Sequence, residues 1–264
     1  MTEALTTEVL TTEIRGRVAV LTLKRPDKLN AIGTPTLDRL ETELHRLRGE
    51  PDVRALVIAG AGRAFSAGAD LDEIGNCAGP YDFRAFVHRT TDVLDLLEAY
   101  PKPSVAAIHG FAFGGGLELC LACDLRVAEA GARLGVPEMR LGVLPGAAGT
   151  QRLPRLAPPA IAKQMILTGD PITAERAHSV GLVNELAEPG GALEAALELA
   201  DRLAAGAPRA LEAGKHLVDR GPGMDLRTAI AYERETVTAL FTTLDREEGL
   251  RAFRERRDPE FQGR

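Results

Sequence analysis

Two glutamates and a run of glycines are the groups in this sequence whose types and spacing suit catalysis. Gly114, Gly115 and Gly116 follow an apolar run and open a helical one. Consecutive glycines let backbone N–H groups approach a ligand closely, and a helix N-terminus adds partial positive charge, so the segment suits an anion or oxyanion. A tight strand-to-helix turn packed against a neighbour would call for the same residues. The Gly-Lys-Ser/Thr ending of a phosphate-binding loop is missing, as is Gly-x-Gly-x-x-Gly near the first strand. Instead Leu117 and Glu118 follow, and a carboxylate one turn into the helix repels phosphate but suits proton transfer beside a neutral carbonyl. Glu138 is the second carboxylate. It lies in a Gly- and Pro-rich stretch from Gly135 to Arg152 whose apolar character should raise its pKa toward the range of acid/base work. Most glutamates are surface residues, and spacing alone does not bring these two together.

Other groups invite weaker readings. Ala64 to Gly68 nearly matches the Gly-x-Ser-x-Gly nucleophile elbow, with Ala64 in place of the first glycine and Ser66 in the nucleophile position. An elbow should run from strand directly into helix, whereas Ala69 and Asp70 continue a loop. A small-residue loop bringing backbone N–H groups near a ligand is the simpler description. Cys120 and Cys123 form a lone Cys-x-x-Cys in an apolar helix, so buried packing is expected rather than metal or redox chemistry. The five histidines have no zinc-ligand spacing, and no metal is expected. His109 ends a buried strand and reads as a satisfied interior residue.

The elements that must position these groups can be read from periodicity. Val9 to Ile14 and Val18 to Leu23 are β-prone runs around Arg15-Gly16-Arg17, which predicts a hairpin. Leu37, Leu40, Leu44 and Leu47 mark one face of a helix over 36–48. Arg54 to Ala59 and Ser104 to His109 are short apolar runs suited to strands buried on both faces, and Leu125 to Ala128 is strand again. A helix over 82–99 turns Phe83, Phe86, Val87, Val93, Leu94 and Leu97 inward, and a short one follows at 117–122. From Pro158 the pattern is nearly all helical, with helices expected over 161–167, 174–180, 193–205, 210–218, 226–242 and 247–255. Alternating strands and helices followed by helices predict an α/β layered core with a helical C-terminal region. The stretch 187–191, rich in Pro and Gly, is the best linker candidate and reads as a loop.

Composition narrows the partners. The 264 residues are 45% hydrophobic and 4% aromatic with no Trp, ample for a core but short of stacking surfaces for single-stranded nucleic acid. A net charge of −6 argues against a polyanion-binding surface. Three cysteines cannot all pair, which suits a reducing compartment. The acidic residues near Met1 do not suit a targeting peptide, and the apolar runs are too short to span a membrane, so a cytoplasmic protein is expected.

Three ordered motifs carry a family likeness: Phe65 to Leu71; Gly114 to Leu119 with Cys123 and Asp124; and Pro137 to Gly142 with Pro145 to Gln151. Together they resemble the enoyl-CoA hydratase/isomerase, or crotonase, family. Arg25-Pro26, Asn30-Ala31, Thr168-Gly169, Gly181 to Val183, Glu248-Gly249 and Ala252-Phe253 extend the likeness from about Val18 to the C-terminal region. The resemblance implies a spiral of β–β–α units forming two roughly perpendicular sheets. In domain terms it implies a core with the acyl-CoA site over 1–200 and a helical trimerisation region over 201–264, the trimer often doubled to a hexamer. It also implies an oxyanion hole made by the backbone N–H groups of Ser66 and Gly115. Glu118 would hold and activate water, and Glu138 would exchange the proton at the α-carbon. CoA would be gripped by Ser66, Ala67, Gly68, Ala69, Asp70, Leu71 and Gly115, by Ala31, and by the basic Arg25 and Lys28. The implied reaction is reversible hydration of a 2-enoyl-CoA to a 3-hydroxyacyl-CoA, with the CoA thioester as substrate carrier and no further cofactor. Double-bond isomerisation is the alternative, and a thioester hydrolase or a noncatalytic acyl-CoA binder are more distant ones. Ala148 departs from the family's usual glycine, and Ser66 from its frequent alanine.

Overall fold

The computed structural model describes residues 8–264. Strands β1 (Leu10–Arg15) and β2 (Val18–Leu23) pair antiparallel through a turn in which Gly16 has φ +59°, the hairpin expected from the sequence. Helix α1 (Thr34–Arg48) buries Leu37, Leu40, Leu44 and Leu47 as its periodicity requires. Then come β3 (Ala55–Gly60), a short helix α2 (Leu71–Gly75), α3 (Pro80–Glu98), β4 (Ser104–Ile108), β5 (Phe111–Phe113) and α4 (Gly115–Ala122). Strands β6 (Leu125–Glu129) and β7 (Arg133–Gly135) lead through a 3-10 turn at Pro137–Leu141 into α5 (Gly149–Leu156) and α6 (Pro159–Thr168). The chain continues through β8 (Ile172–Thr173), α7 (Ala174–Ser179), β9 (Glu185–Ala187), α8 (Ala192–Ala204), α9 (Pro208–Arg220), α10 (Leu226–Leu240) and α11 (Leu244–Glu255).

Two sheets result. The larger has the order β1-β2-β3-β4-β6-β9, parallel from β2 onward, and the smaller the order β5-β7-β8. A parallel sheet must be covered on both faces, and residue alternation along the strands assigns each face. Leu21, Leu56, Ile58, Ala106 and Ile108 face one cluster with α1, α3 and α4. Val20, Val57, Val105, Ala107 and Val127 face the other, covered by Ala196 and Ala200 of α8.

The chain steps through these sheets in repeated turns. After β4 it crosses to β5 and enters α4; after β6 it crosses to β7 and enters the 3-10 turn and α5. One turn earlier, after β3, the loop pairs Ser66 with Ala112 of β5 in a parallel bridge. Ser66, β5 and β7 are therefore successive rungs of the small sheet, and each is followed within three residues by a group facing one cavity: Ala69, Gly115 and Glu138.

Several elements differ from the sequence expectation. The strands β5, β7, β8 and β9, of two or three residues each, are too short to show a period. Helices α2 and α5 form where the sequence carried no helical expectation. Asp70 caps α2 by accepting N–H bonds from Asp72 (3.1 Å) and Glu73 (3.4 Å), and α5 holds an internal Pro154. Helix α4 starts at Gly115 rather than Leu117. The stretch 187–191 is the loop between β9 and α8. The boundary drawn at 200/201 falls inside α8, whose Ala204 still packs against the sheet. Among the described residues no helix is long and apolar enough to cross a membrane.

Candidate active site

The loop after β3 leaves the large sheet with its carbonyls in need of donors. Asn30 supplies them: with φ +55° and 1% exposure, its Nδ2 donates to the carbonyls of Ala61 (2.8 Å), Ala64 (2.9 Å) and Phe65 (3.1 Å). The Ser66 hydroxyl donates to Asn30 O (2.8 Å) and accepts from Gly68 N (3.1 Å). Ser66 is fully buried and does not line the cavity. Its N–H donates to Phe111 O (3.2 Å), and its carbonyl accepts from Phe113 N (3.0 Å). The expectation that Ser66 N–H forms half of an oxyanion hole is therefore corrected, because bridge pairing to β5 consumes that donor.

Ala69 takes its place. A second parallel bridge, Ile32 to Ala69, uses Gly68 O and Asp70 N (2.8 and 2.9 Å to Ile32), which turns the Ala69 N–H to the opposite side. Gly115 N–H, in the first turn of α4, faces the same space. A Cβ on Gly115 would stand 3.2 Å from Ala69 N, and one on Gly68 3.3 Å from Gly115 N. Among the described residues neither N–H has an acceptor. Two adjacent unpaired donors, one at a helix N-terminus, form a receptor for an oxygen that gains negative charge.

Both lie in the wall of a cavity of about 750 Å³ that also contains Glu118 and Glu138. Glu118 is 3% exposed, and its Oε1 accepts N–H bonds from Ala147 (2.8 Å) and Gly149 (2.7 Å), so Oε2 is left for the cavity. Burial raises its pKa to about 7, with the neighbouring Glu138 adding to the rise, while the two N–H bonds and Arg152 oppose it. Glu138 is also raised by burial, and its Oε2 is buried without a partner. A Cβ on Gly114, which has φ +50°, would reach within 2.6 Å of Glu138 Oε1. Glycine at 114 thus permits both the turn and the approach of the carboxylate to the oxyanion donors.

Of the residues expected to grip CoA, Lys28, Ala31, Ala67, Gly68, Ala69, Asp70, Leu71 and Gly115 line the cavity, whereas Ser66 and Arg25 do not. Arg25 Nη1 donates to Asp70 Oδ2 (2.7 Å) and Ala31 O (3.0 Å), and it holds the Asp70 carboxyl below its ordinary value. It fastens the loop rather than facing the cavity. Lys28, half-exposed and paired with Asp72 at 2.9 Å, and Arg140, paired with Asp170, are cations that line the cavity. Opposite, Phe83, Phe86 and Val87 of α3 form an apolar wall with Leu144. Val87 lies 3.7 Å from where a Gly146 Cβ would be, so this wall adjoins the loop that holds Glu118.

Three contributors were not singled out from sequence: Asn30, the Ala147 and Gly149 amides, and Arg152. A buried Arg152, 6% exposed, has no period that marks it; Asn30 and the stretch Pro145 to Gln151 entered only as part of the family likeness. Cys120 and Cys123 are buried free thiols raised by desolvation, as expected of packing residues. His109, half-buried, bonds Gly62 O at 3.0 Å. Among the described residues no group of three or more His, Cys, Asp or Glu could hold a metal.

Comparison with known proteins identifies the family. The family model for enoyl-CoA hydratase/isomerase matches residues 13–264. The chain is 39% identical over 246 residues to the short-chain-enoyl-CoA hydratase of Clostridium acetobutylicum, covering 93% of this chain and 94% of the relative. It is 41% identical over 249 residues to the 2,3-dehydroadipyl-CoA hydratase of Escherichia coli, covering 94% and 96%. The crystal structure of an enoyl-CoA hydratase from Bacillus anthracis superposes with a TM-score of 0.94 at 36% identity, over 97% of this chain and 100% of that one. The spiral of short turns, the paired glutamates and the near-complete coverage point the same way: the chain belongs to the enoyl-CoA hydratase/isomerase family.

Proposed function

We propose that the protein is an enoyl-CoA hydratase, reversibly adding water across the double bond of a 2-enoyl-CoA to give a 3-hydroxyacyl-CoA. The observation that carries this reading is the placement of two carboxyls with raised pKa, Glu118 and Glu138, in one cavity beside two unpaired N–H donors. Moving a double bond can proceed with one carboxyl. Adding water needs one group to take a proton from water and another to give a proton to carbon.

The thioester oxygen sits between Ala69 N–H and Gly115 N–H. The Glu118 carboxylate accepts a proton from water as the water oxygen bonds to the β-carbon, and the π electrons move onto the thioester oxygen as an enolate. The enolate collapses as the Glu138 carboxylic acid protonates the α-carbon. Glu118 then holds a proton and Glu138 has lost one, and exchange with solvent restores the starting state. Preorganised donors stabilise the enolate by roughly 3 kcal/mol each in comparable sites. The apolar wall of Phe83, Phe86, Val87 and Leu144 suits a hydrocarbon acyl chain, and Lys28 at the rim suits the CoA phosphates.

We further propose a homotrimer or hexamer assembled through α9–α11. These helices leave Val218, Leu226, Val237 and Phe241 more than half exposed in the single chain. The three free thiols favour a reducing, cytoplasmic setting.

The test is to incubate the purified protein with short and medium 2-enoyl-CoAs and weigh the products. A mass gain of one water is expected, with kcat lowered by about 10²–10⁴ in Glu118→Gln and in Glu138→Gln. A product of unchanged mass points to isomerisation, free CoA to hydrolysis, and binding without turnover to a noncatalytic relative. Unchanged turnover in both variants overturns the mechanism.

A further inference from the structure

The Glu118 cradle does not stand alone. Its two donors, Ala147 N and Gly149 N, lie at the end of the loop between the 3-10 turn and α5 and at the first residue of α5. Arg152 lies one turn into α5 and is 6% exposed. Its Nη1 donates back to Ala147 O at 3.1 Å. Its Nε and Nη2 donate to Glu98 Oε2 at 3.2 and 2.8 Å, and Nη2 also donates to Asp95. One planar guanidinium thus joins the loop that grips Glu118 to the C-terminal half of α3, whose N-terminal half supplies Phe83, Phe86 and Val87 to the cavity wall. A planar fork with several fixed donors binds a carbonyl and two carboxylates at once in one set geometry, which a rotating ammonium does not fix.

We propose that Arg152 is a positioning residue for Glu118, holding the Ala147–Gly149 amides against α3 so that Glu118 Oε1 is fixed and Oε2 points to the substrate. This rests on the reading of Glu118 as an acid/base group. Arg152 is also the cation that acts on Glu118, opposing the rise caused by burial and by Glu138. The remaining charges around the unit are Asp95 and Glu98 of α3, which offset Arg152, and Asp219 of α9, which acts on Glu98 and is itself faced by Asp124, Lys215 and His216. Removing the Arg152 charge should raise the Glu118 titration. Neutralising Asp95 or Glu98 leaves the cation less compensated and should lower it.

The test follows the Glu118 carboxyl by ¹³C NMR in glutamate-labelled protein, assigned with Glu118→Gln, alongside kcat and KM against pH. Arg152→Gln is expected to raise the Glu118 midpoint and lower kcat at least tenfold with KM changed less than threefold. Arg152→Lys, keeping charge but losing the fork, is expected to restore the midpoint and only part of kcat. Asp95→Asn and Glu98→Gln alter half-exposed carboxylates, so they test the idea even where Arg152→Gln does not fold; each is expected to lower the midpoint. A midpoint unmoved in these two variants overturns the proposal, as does an Arg152→Gln variant that is less stable but retains the wild-type midpoint. The NMR midpoint is read without turnover, so a wild type that titrates as expected but hydrates nothing would count against the hydratase reading alone.

Discussion

Glu118 is held in a setting that costs the fold stability. Its pKa is raised from 4.5 to about 7, so the folded chain binds more protons than the unfolded one between those values. Stability from this group is greatest below about pH 4.5 and is lost as pH rises through about 7, a cost of roughly 3 kcal/mol for a shift of this size. Glu118→Gln keeps an acceptor for Ala147 N and Gly149 N and removes the charge. The variant should therefore melt above the wild type at pH 8, with the difference closing toward pH 4.5, as read by thermal unfolding across pH. A variant less stable at pH 8 would contradict this account of its burial. The residue proposed to transfer a proton is thus one the fold would hold more easily as an amide, a common relation between site and scaffold.

At the scale of elements, the site forms where three successive turns leave the small sheet. The motif glycines and both glutamates were legible because each sits at such an exit, and exits need small residues and reactive side chains together. The error over Ser66 has the same origin. Sequence marks the loop from Phe65 to Leu71 as one unit but does not say which of its N–H groups is spent on pairing. That depends on Phe111–Phe113, a three-residue strand with no readable period. Strands β2, β3 and β4 and helices α1, α3 and α8 were readable because four or more buried positions repeat in each. Amide hydrogen exchange separates the two assignments. The Ser66 and Phe113 amides should exchange slowly in the free protein, while Ala69 and Gly115 exchange faster and slow on binding acyl-CoA. Protection of Ala69 without ligand would return the oxyanion role to question.

For the whole molecule, α9 and α10 bury none of their residues in the single chain, while α8 completes the core. Replacing Val218 and Val237, 74% and 59% exposed, by Glu should leave the core intact and shift the solution mass from an oligomer to a single chain, as measured by light scattering. An unchanged mass would place the interface elsewhere. The core itself has one point without redundancy. Where the chain leaves β3, three carbonyls that a neighbouring strand would have paired are met by a single amide, Asn30 Nδ2. A ladder spreads such bonds over many residues, so losing one is tolerated; here one side chain replaces the ladder. The segment carrying Ala69 is free to depart from the sheet because of that substitution, and for the same reason its shape has a single point of failure some forty residues from the donor it sets in place.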